Sequence, residues 1–267
     1  MARGLVDRLL AEGCERICVY SRGEYAQAQM RSQFNDDARL RWFIGDVRDR
    51  DRLELAMERV DAVIHAAALK RIEVGAYQPG EMVKTNVDGT QNVIEAARRH
   101  GVEKCLLISS DKAFEPVSPY GFSKALAEAL FLTANRIFPD GPRFSVVRYG
   151  NVWNSTGSIV PTWRAMIAAG ATRVPVTDPD CTRFFMRIGE AVDLVLGTLA
   201  TMEGGEVRVP TLPAYKVDDL AAAFGVSIRM TGLREWEKRH ESMTHGVRSD
   251  TARRMTIAEL KEELARV

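Results

Sequence analysis

The chain has 267 residues, 46% hydrophobic and 27% charged, with a formal net charge of +1 at pH 7. That is an ordinary globular composition, long enough to bury a sizeable core, and so small a net charge gives no field to gather DNA, RNA or anionic lipid. No apolar run approaches the ~18 residues of a membrane span.

Met1–Ala11 carries charges through its middle and has no apolar h-region, so it is not expected to be a signal peptide. Cys14, Cys18, Cys105 and Cys181 form no CxxC pair, and no metal-ligand spacing joins them to His65, His100, His240 or His245. Reduced, mostly buried thiols in a cytoplasmic protein without a metal site are expected.

Two hydrophobic periods alternate along the chain. Ala2–Ala11 repeats at helical spacing, with Leu5, Leu9 and Leu10 on one face and Gly13 as its stop. Arg16–Tyr20 reads as a buried strand, Glu24–Phe34 as a helix, Leu40–Ile44 as a strand, Arg50–Arg59 as a helix and Ala62–His65 as a strand. Gly80–His100 predicts one long helix, Cys105–Ser109 a strand, Tyr120–Ile137 a helix and Phe144–Val147 a strand. Such alternation predicts an α/β protein with a Rossmann-like, doubly wound parallel sheet. After Gly150 the pattern loosens. Helices near Val160–Ala169 and Ile188–Met202 are followed by short pieces, the expectation for a small substrate-binding lobe. The boundaries are 1–150 for the sheet domain and 151–267 for the lobe, with some lobe segments returning to the sheet.

One feature departs from that architecture. The first element is a helix rather than a strand, and no GxGxxG or GxxGxxG occurs anywhere. In the usual strand order the first strand lies mid-sheet. The sequence therefore looks N-terminally truncated, and Arg16–Tyr20 and Ala62–His65 are expected either to flank a gap or to pair directly.

The densest chemistry lies between Leu107 and Lys124. Ser110, Asp111 and Lys112 fall where a strand ends, and open α/β sheets bind ligands outside the carboxyl ends of their strands. Tyr120 and Lys124 are one turn apart on the next helix, so they share a face. A lysine ammonium there is expected to pull the phenol below its ordinary pKa of about 10, making a base for a hydroxyl proton. Tyr-x-x-x-Lys alone is a weak signal; its place just after Ser-Ser-Asp-Lys gives it weight.

These residues resemble the S-T-D-K-A … Y-G-x-S/T-K block of the C5-inverting UDP-N-acetylglucosamine 4,6-dehydratases, within the extended short-chain dehydrogenase/reductase group. The blocks V-Y-S-R-G-E (19–24), G-D-V-R-D (45–49), H-A-A-A-L-K (65–70), K-T-N-V-D-G-T (84–90), R-Y-G-N-V (148–152), T-D-P-D-C-T-R-F-F-M (177–186) and G-L-R-E-W-E-K-R-H-E (232–241) are similar too. The resemblance implies that Ser110 and Tyr120 hold the sugar C4 hydroxyl, Tyr120 taking its proton, while Lys124 binds the cofactor ribose. Lys112 would be the base at C5 and Asp111 the acid that releases the C6 hydroxyl as water.

Asp46 and Val47 would flank the adenine, and Ala66, Ala67 and Ala68 would let the backbone approach the cofactor. Asn86 and Lys70 would order the site. Ser21 and Arg22 end a strand where NAD enzymes place an acidic residue, and a guanidinium suits a 2′-phosphate, so NADP is favoured over NAD. Asn151, Arg183, Arg234 and Glu237 would bind a UDP-sugar. Thr156 stands where the family usually carries arginine, and Trp236 where proline is common. The resemblance also implies a homo-oligomer through helices Gly80–His100 and Tyr120–Ile137. Two rival expectations remain: a UDP-sugar 4- or 5-epimerase, and a degenerate, non-catalytic paralogue.

Overall fold

The computed structural model describes residues 1–266. Helix α1 (Ala2–Ala11) leads into strand β1 (Ile17–Ser21), α2 (Glu24–Gln33), β2 (Leu40–Ile44), α3 (Arg50–Met57) and β3 (Ala62–His65). A short helix outside the predicted elements, α4 (Ile72–Tyr77), comes next. Then α5 (Pro79–Met82) runs through a π-helical stretch, Val83–Asp88, into α6 (Gly89–Arg99). The single regular helix expected over Gly80–His100 therefore carries a widened turn in its middle. Strand β4 (Lys104–Ser110), a 3₁₀ turn (Asp111–Ala113), α7 (Pro119–Ile137) and β5 (Arg143–Tyr149) complete the expected alternation.

Strands β3, β4 and β5 pair in parallel. In β4, Cys105, Leu106 and Leu107 are all fully buried, as a strand covered on both faces requires. One face packs on Leu5 of α1 and on Val192, Val195 and Leu196; the other packs on Val93 of α6 and on Ala127 and Phe131 of α7. Helices therefore cover both faces of a parallel sheet, the doubly wound architecture read from the sequence.

Strands β1 and β2 form a separate parallel pair. No ladder joins β1 to β3, so the first of the two expected outcomes, a gap, is what the structure shows. The fragments are held in one body by side chains. Leu5 of α1 belongs to the core beneath β4 and β5, whereas its neighbour Val6 packs with Ile17, Met30 and Leu40 around the β1–β2 pair. Burial of apolar area across the break replaces hydrogen bonds along it.

Beyond Gly150, α8 (Ile159–Ala168), β6 (Arg173–Val176) and β7 (Thr182–Phe184) precede α9 (Ile188–Thr201). Helix α9 carries Val192, Val195 and Leu196 back under the main sheet, and β8 (Val207–Arg208) pairs with β5 at its edge. The rest comprises β9 (Ala214–Lys216), α10 (Val217–Phe224), β10 (Ser227–Met230), β11 (Ser242–Thr244), β12 (Val247–Arg248) and α11 (Ile257–Ala265). Strand β7 pairs with β9 and β6 with β10. Trp153, Trp163, Phe185, Tyr215, Leu220 and Leu260 form a second core there. Among the described residues no helix is long and apolar enough to cross a membrane. Cys105 and Cys181 are buried, but Cys14 and Cys18 are only half-buried, and all four are free.

Candidate active site

Two capped turns build the site at the carboxyl end of β4. Ser110 Oγ accepts from the Lys112 backbone N–H at 3.3 Å and fixes the 3₁₀ turn that carries Asp111 and Lys112. Ser118 Oγ accepts from the Gly121 N–H at 3.1 Å, and Pro119 occupies the first position of α7, so Tyr120 sits in the helix's opening turn. Gly121 lets the two turns meet. A Cβ there would lie 2.4 Å from the Lys112 carbonyl oxygen. The Tyr-Gly pair of the motif is thus a packing requirement as well as a chemical one.

Asp111 is fully buried. Its Oδ1 accepts from Ser110 Oγ at 2.8 Å and from Lys112 Nζ at 2.9 Å, while Oδ2 has no hydrogen-bond partner among the described residues. Burial pushes the carboxyl above its ordinary range, and Lys112 only partly offsets this. Burial alone would lower the Lys112 ammonium, yet Asp111 and Glu241 outweigh it and hold the group above an ordinary lysine.

The expected effect of Lys124 on Tyr120 is not what the geometry gives. Burial raises the Tyr120 phenol, and the groups that pull it back are Lys112 and the Ser110 hydroxyl. Lys124 Nζ instead donates to the Ile108 carbonyl at 2.8 Å, and burial brings Lys124 down to about 8. Only the Glu128 carboxylate offsets that burial.

The other sequence-derived residues fall into three groups. At the carboxyl end of β1, Ser21 Oγ accepts from Gln27 Nε2 at 2.9 Å, and the half-exposed Arg22 lies 3.6 Å from Asp46. Asp46 is chelated by Arg48 at 2.7 and 3.0 Å, which holds its carboxyl below the usual range. Val47 is buried against Gly89. After β3, Ala66 and Ala67 are exposed and Ala68 half-buried.

A second group fixes loops. Asn86, in the π-helical turn, brackets Leu69 by bonds to its N–H and C=O at 2.8 and 2.9 Å and also reaches Ser123 Oγ at 2.9 Å. It therefore secures loop backbone and makes no hydrogen bond to Lys124. Lys70 Nζ donates to the Thr156 carbonyl at 3.2 Å, so the residue that departs from the family pattern meets Lys70 through its backbone.

In the third group, Arg183 pairs with Glu237 at 2.8 Å and Glu237 also accepts from Thr177 Oγ1. Asn151 Oδ1 is buried without a hydrogen-bond partner among the described residues. Arg234 lies apart, half-exposed and 3.4 Å from Glu73.

One residue at the centre of this geometry was missed. Glu241, 3% exposed, lies 3.2 Å from Lys112 Nζ, 3.7 Å from Lys238 Nζ and 4.0 Å from Arg183 Nε. The only signal in the sequence was its place at the end of the 232–241 block; no local period marks it.

Residues 1–260 match the family described as "Polysaccharide biosynthesis protein". The chain is 46% identical over 231 residues to the UDP-N-acetylglucosamine 4,6-dehydratase (inverting) of Campylobacter jejuni, covering 85% of this chain and 69% of that protein. It is 39% identical over 236 residues to the UDP-glucose 4-epimerase of Rickettsia prowazekii, covering 86% and 69%. Among solved structures, Pen from Bacillus thuringiensis superposes with a TM-score of 0.93 at 30% identity, over 99% of this chain and 94% of that one. The dTDP-glucose 4,6-dehydratase of Streptomyces venezuelae, solved with NAD bound, gives 0.84 at 20% identity over 98% and 92%. The latter likeness speaks for the fold alone, whereas the family match and the first identity speak for kinship. The chain belongs to the polysaccharide biosynthesis protein family.

Proposed function

We propose that this chain is a cytoplasmic, NADP-dependent 4,6-dehydratase of UDP-N-acetylglucosamine or a close relative, yielding a 4-keto-6-deoxy sugar for surface polysaccharide or glycan synthesis. The observation that carries this reading is the Asp111–Lys112 pair, buried beside Ser110 and Tyr120 at the carboxyl end of β4. An acid next to an amine is what elimination of water needs, because one group must donate while the other accepts.

In this reading Tyr120 takes the proton of the C4 hydroxyl, with Ser110 orienting it. Oxidation at C4 acidifies the C5 proton, which Lys112 removes as a neutral amine, and the C–H electron pair moves toward the C4 oxygen. Asp111 then protonates the C6 hydroxyl, which leaves as water. A nicotinamide bound there would supply the redox chemistry, taking up the C4 hydride and giving it back at C6, and a proton returned to C5 completes the 4-keto-6-deoxy sugar.

The residues fit the adenine, ribose and nicotinamide of such a cofactor, whereas no glycine-rich motif of the usual kind is there to cradle its pyrophosphate. Exposed Ala66 and Ala67 leave the ends of the strands open to it. Asp46 has its charge met by Arg48, so the half-exposed Arg22 is available to a 2′-phosphate. Ser21, Asp46, Val47, Ala66, Ala67, Ala68, Asn86, Tyr120 and Lys124 would line its path, and NAD is the alternative. Residues 1–150 then form the cofactor unit and 151–267 the lobe that closes over the sugar nucleotide. Arg183 supplies a diphosphate partner, with Lys70, Asn151, Arg234 and Glu237 around the sugar. Phe122 and Leu126, one turn apart on α7, and Tyr77 and Val83 nearby in sequence on the preceding helices are exposed, which supports a homo-oligomer.

A UDP-sugar 4-epimerase is the second reading. It is favoured by the 39% identity to such an enzyme and by the neighbouring carboxylates that push Lys112 above an ordinary lysine, since epimerisation at C4 needs no base at C5. Incubation with UDP-N-acetylglucosamine and NADP, with the product identified by NMR, separates them. A 4-keto-6-deoxy sugar supports dehydration; an inverted C4 hydroxyl supports epimerisation; no conversion with no cofactor binding supports a non-catalytic paralogue.

A further inference from the structure

The turn carrying Asp111 and Lys112 is gripped by the segment that leads into β11. Lys238 Nζ donates to the Phe114 carbonyl at 2.6 Å, and Glu241 Oε1 reaches Lys112 Nζ. Glu241 is itself fixed by backbone. Its N–H donates to Ser249 Oγ at 2.8 Å, and the Ser249 N–H donates to the Glu241 carbonyl at 2.8 Å. Ser249 is fully buried and its hydroxyl shares a hydrogen bond with Thr182 Oγ1 at 2.6 Å. This carboxylate is therefore not a mobile surface group that meets Lys112 by chance.

An ammonium has three donors. Asp111 Oδ1 and Glu241 Oε1, from elements far apart in the chain, take two of them and define where the third points. We infer that Glu241 is a positioning residue that aims the Lys112 ammonium and sets the pH at which it gives up its proton. The inference rests on the proposed role of Lys112 as the C5 base.

The groups facing Lys112 divide by sign. Asp111 on the same turn and Glu241 before β11 keep the proton on, whereas Arg183 on β7 drives it off. Lys238 adds to Arg183, while Glu115 and Glu237 act at one remove through Lys238 and Arg183. Tyr120 on α7 and Tyr215 on β9 are the remaining titratable neighbours, both raised by burial and therefore neutral at ordinary pH. With Glu241 made neutral, one carboxylate faces two cations and a buried environment, so Lys112 must release its proton at lower pH.

The test is an NMR titration of the full chain with ¹³C,¹⁵N-labelled lysine, following the Lys112 signal assigned through Lys112→Arg. Glu241→Gln should lower the Lys112 midpoint by about one pH unit or more relative to wild type. An unchanged midpoint in folded Glu241→Gln overturns the inference. Should that variant not fold, Glu241→Asp, which retracts the carboxylate by one methylene, should shift Lys112 in the same direction by less; no shift there overturns it equally. The base role is tested apart from this, by Lys112→Met. If that variant still exchanges the C5 hydrogen with solvent, the reading of Lys112 fails whatever the titration shows.

Discussion

Asp46 and Asp111 each follow the carboxyl end of a parallel strand, and each has a basic side chain within two positions, yet they are opposite acids. Asp46, beside the β1–β2 pair, is only partly buried, its side chain 21% exposed, and is chelated by Arg48, which holds its carboxyl below the usual range. Asp111, in the four-stranded fragment, has no exposure and one unpartnered oxygen, and burial holds it toward its neutral form despite Lys112. Residue type and strand position are shared between the two; what separates them is the packing above. Phe184 and Gly150 close over Asp111, since a Cβ at Gly150 would lie 2.6 Å from Phe184 Cβ and 3.3 Å from Asp111 Oδ2. Excluding water from an ordinary carboxyl is what moves it upward.

Substitutions can break or sharpen this contrast. The largest effect is expected for Tyr120→Phe, which removes only the phenolic oxygen and should lower turnover ~100-fold or more with the thermal midpoint nearly unchanged. Retention of most of the activity in assays at saturating substrate would remove Tyr120 from the chemistry.

Asp111→Asn comes next. It keeps the shape but cannot donate as an acid, so water loss should slow by roughly 10²–10⁴-fold while C4 oxidation persists. Absorbance at 340 nm should then rise and stay high; dehydration as fast as in wild type would show that Asp111 is not the acid.

Arg22→Ala should weaken NADP binding about tenfold and leave NAD binding nearly unaltered, because one charged hydrogen-bonding group is lost only to the 2′-phosphate. Equal losses for both nucleotides in a calorimetric titration would contradict the assignment. Asp46→Asn is the control for the whole comparison. It should change stability by under about 1 kcal/mol, as befits a partly exposed pair, and turnover at saturating cofactor by about twofold at most. A large loss of turnover there would mean that burial is not what distinguishes the two carboxyls.

The elements most legible in the sequence were those whose pattern is local. The CLLIS run announced a buried strand, and the 3.6 period announced α1 and α7. The widened turn at Val83–Asp88 was not legible, because its cause is tertiary: Asn86 reaches from it to Leu69 and Ser123. The lysine expected to tune Tyr120 was chosen by helical spacing, which placed Lys124 correctly on the helix but could not show its ammonium turned to the Ile108 carbonyl. Glu241 was hidden for the same reason, since its partner Lys112 comes from the other end of the fold.

The central claim, elimination through a base at C5 and an acid at C6, is tested most directly by running the reaction in D₂O on substrate labelled with tritium at C4. Dehydration by Lys112, Asp111 and Tyr120 predicts solvent deuterium at C5 of the product and the tritium moved to C6. A product that keeps its C6 hydroxyl, carries no deuterium at C5 and retains the tritium at C4 would contradict it and leave epimerisation in its place.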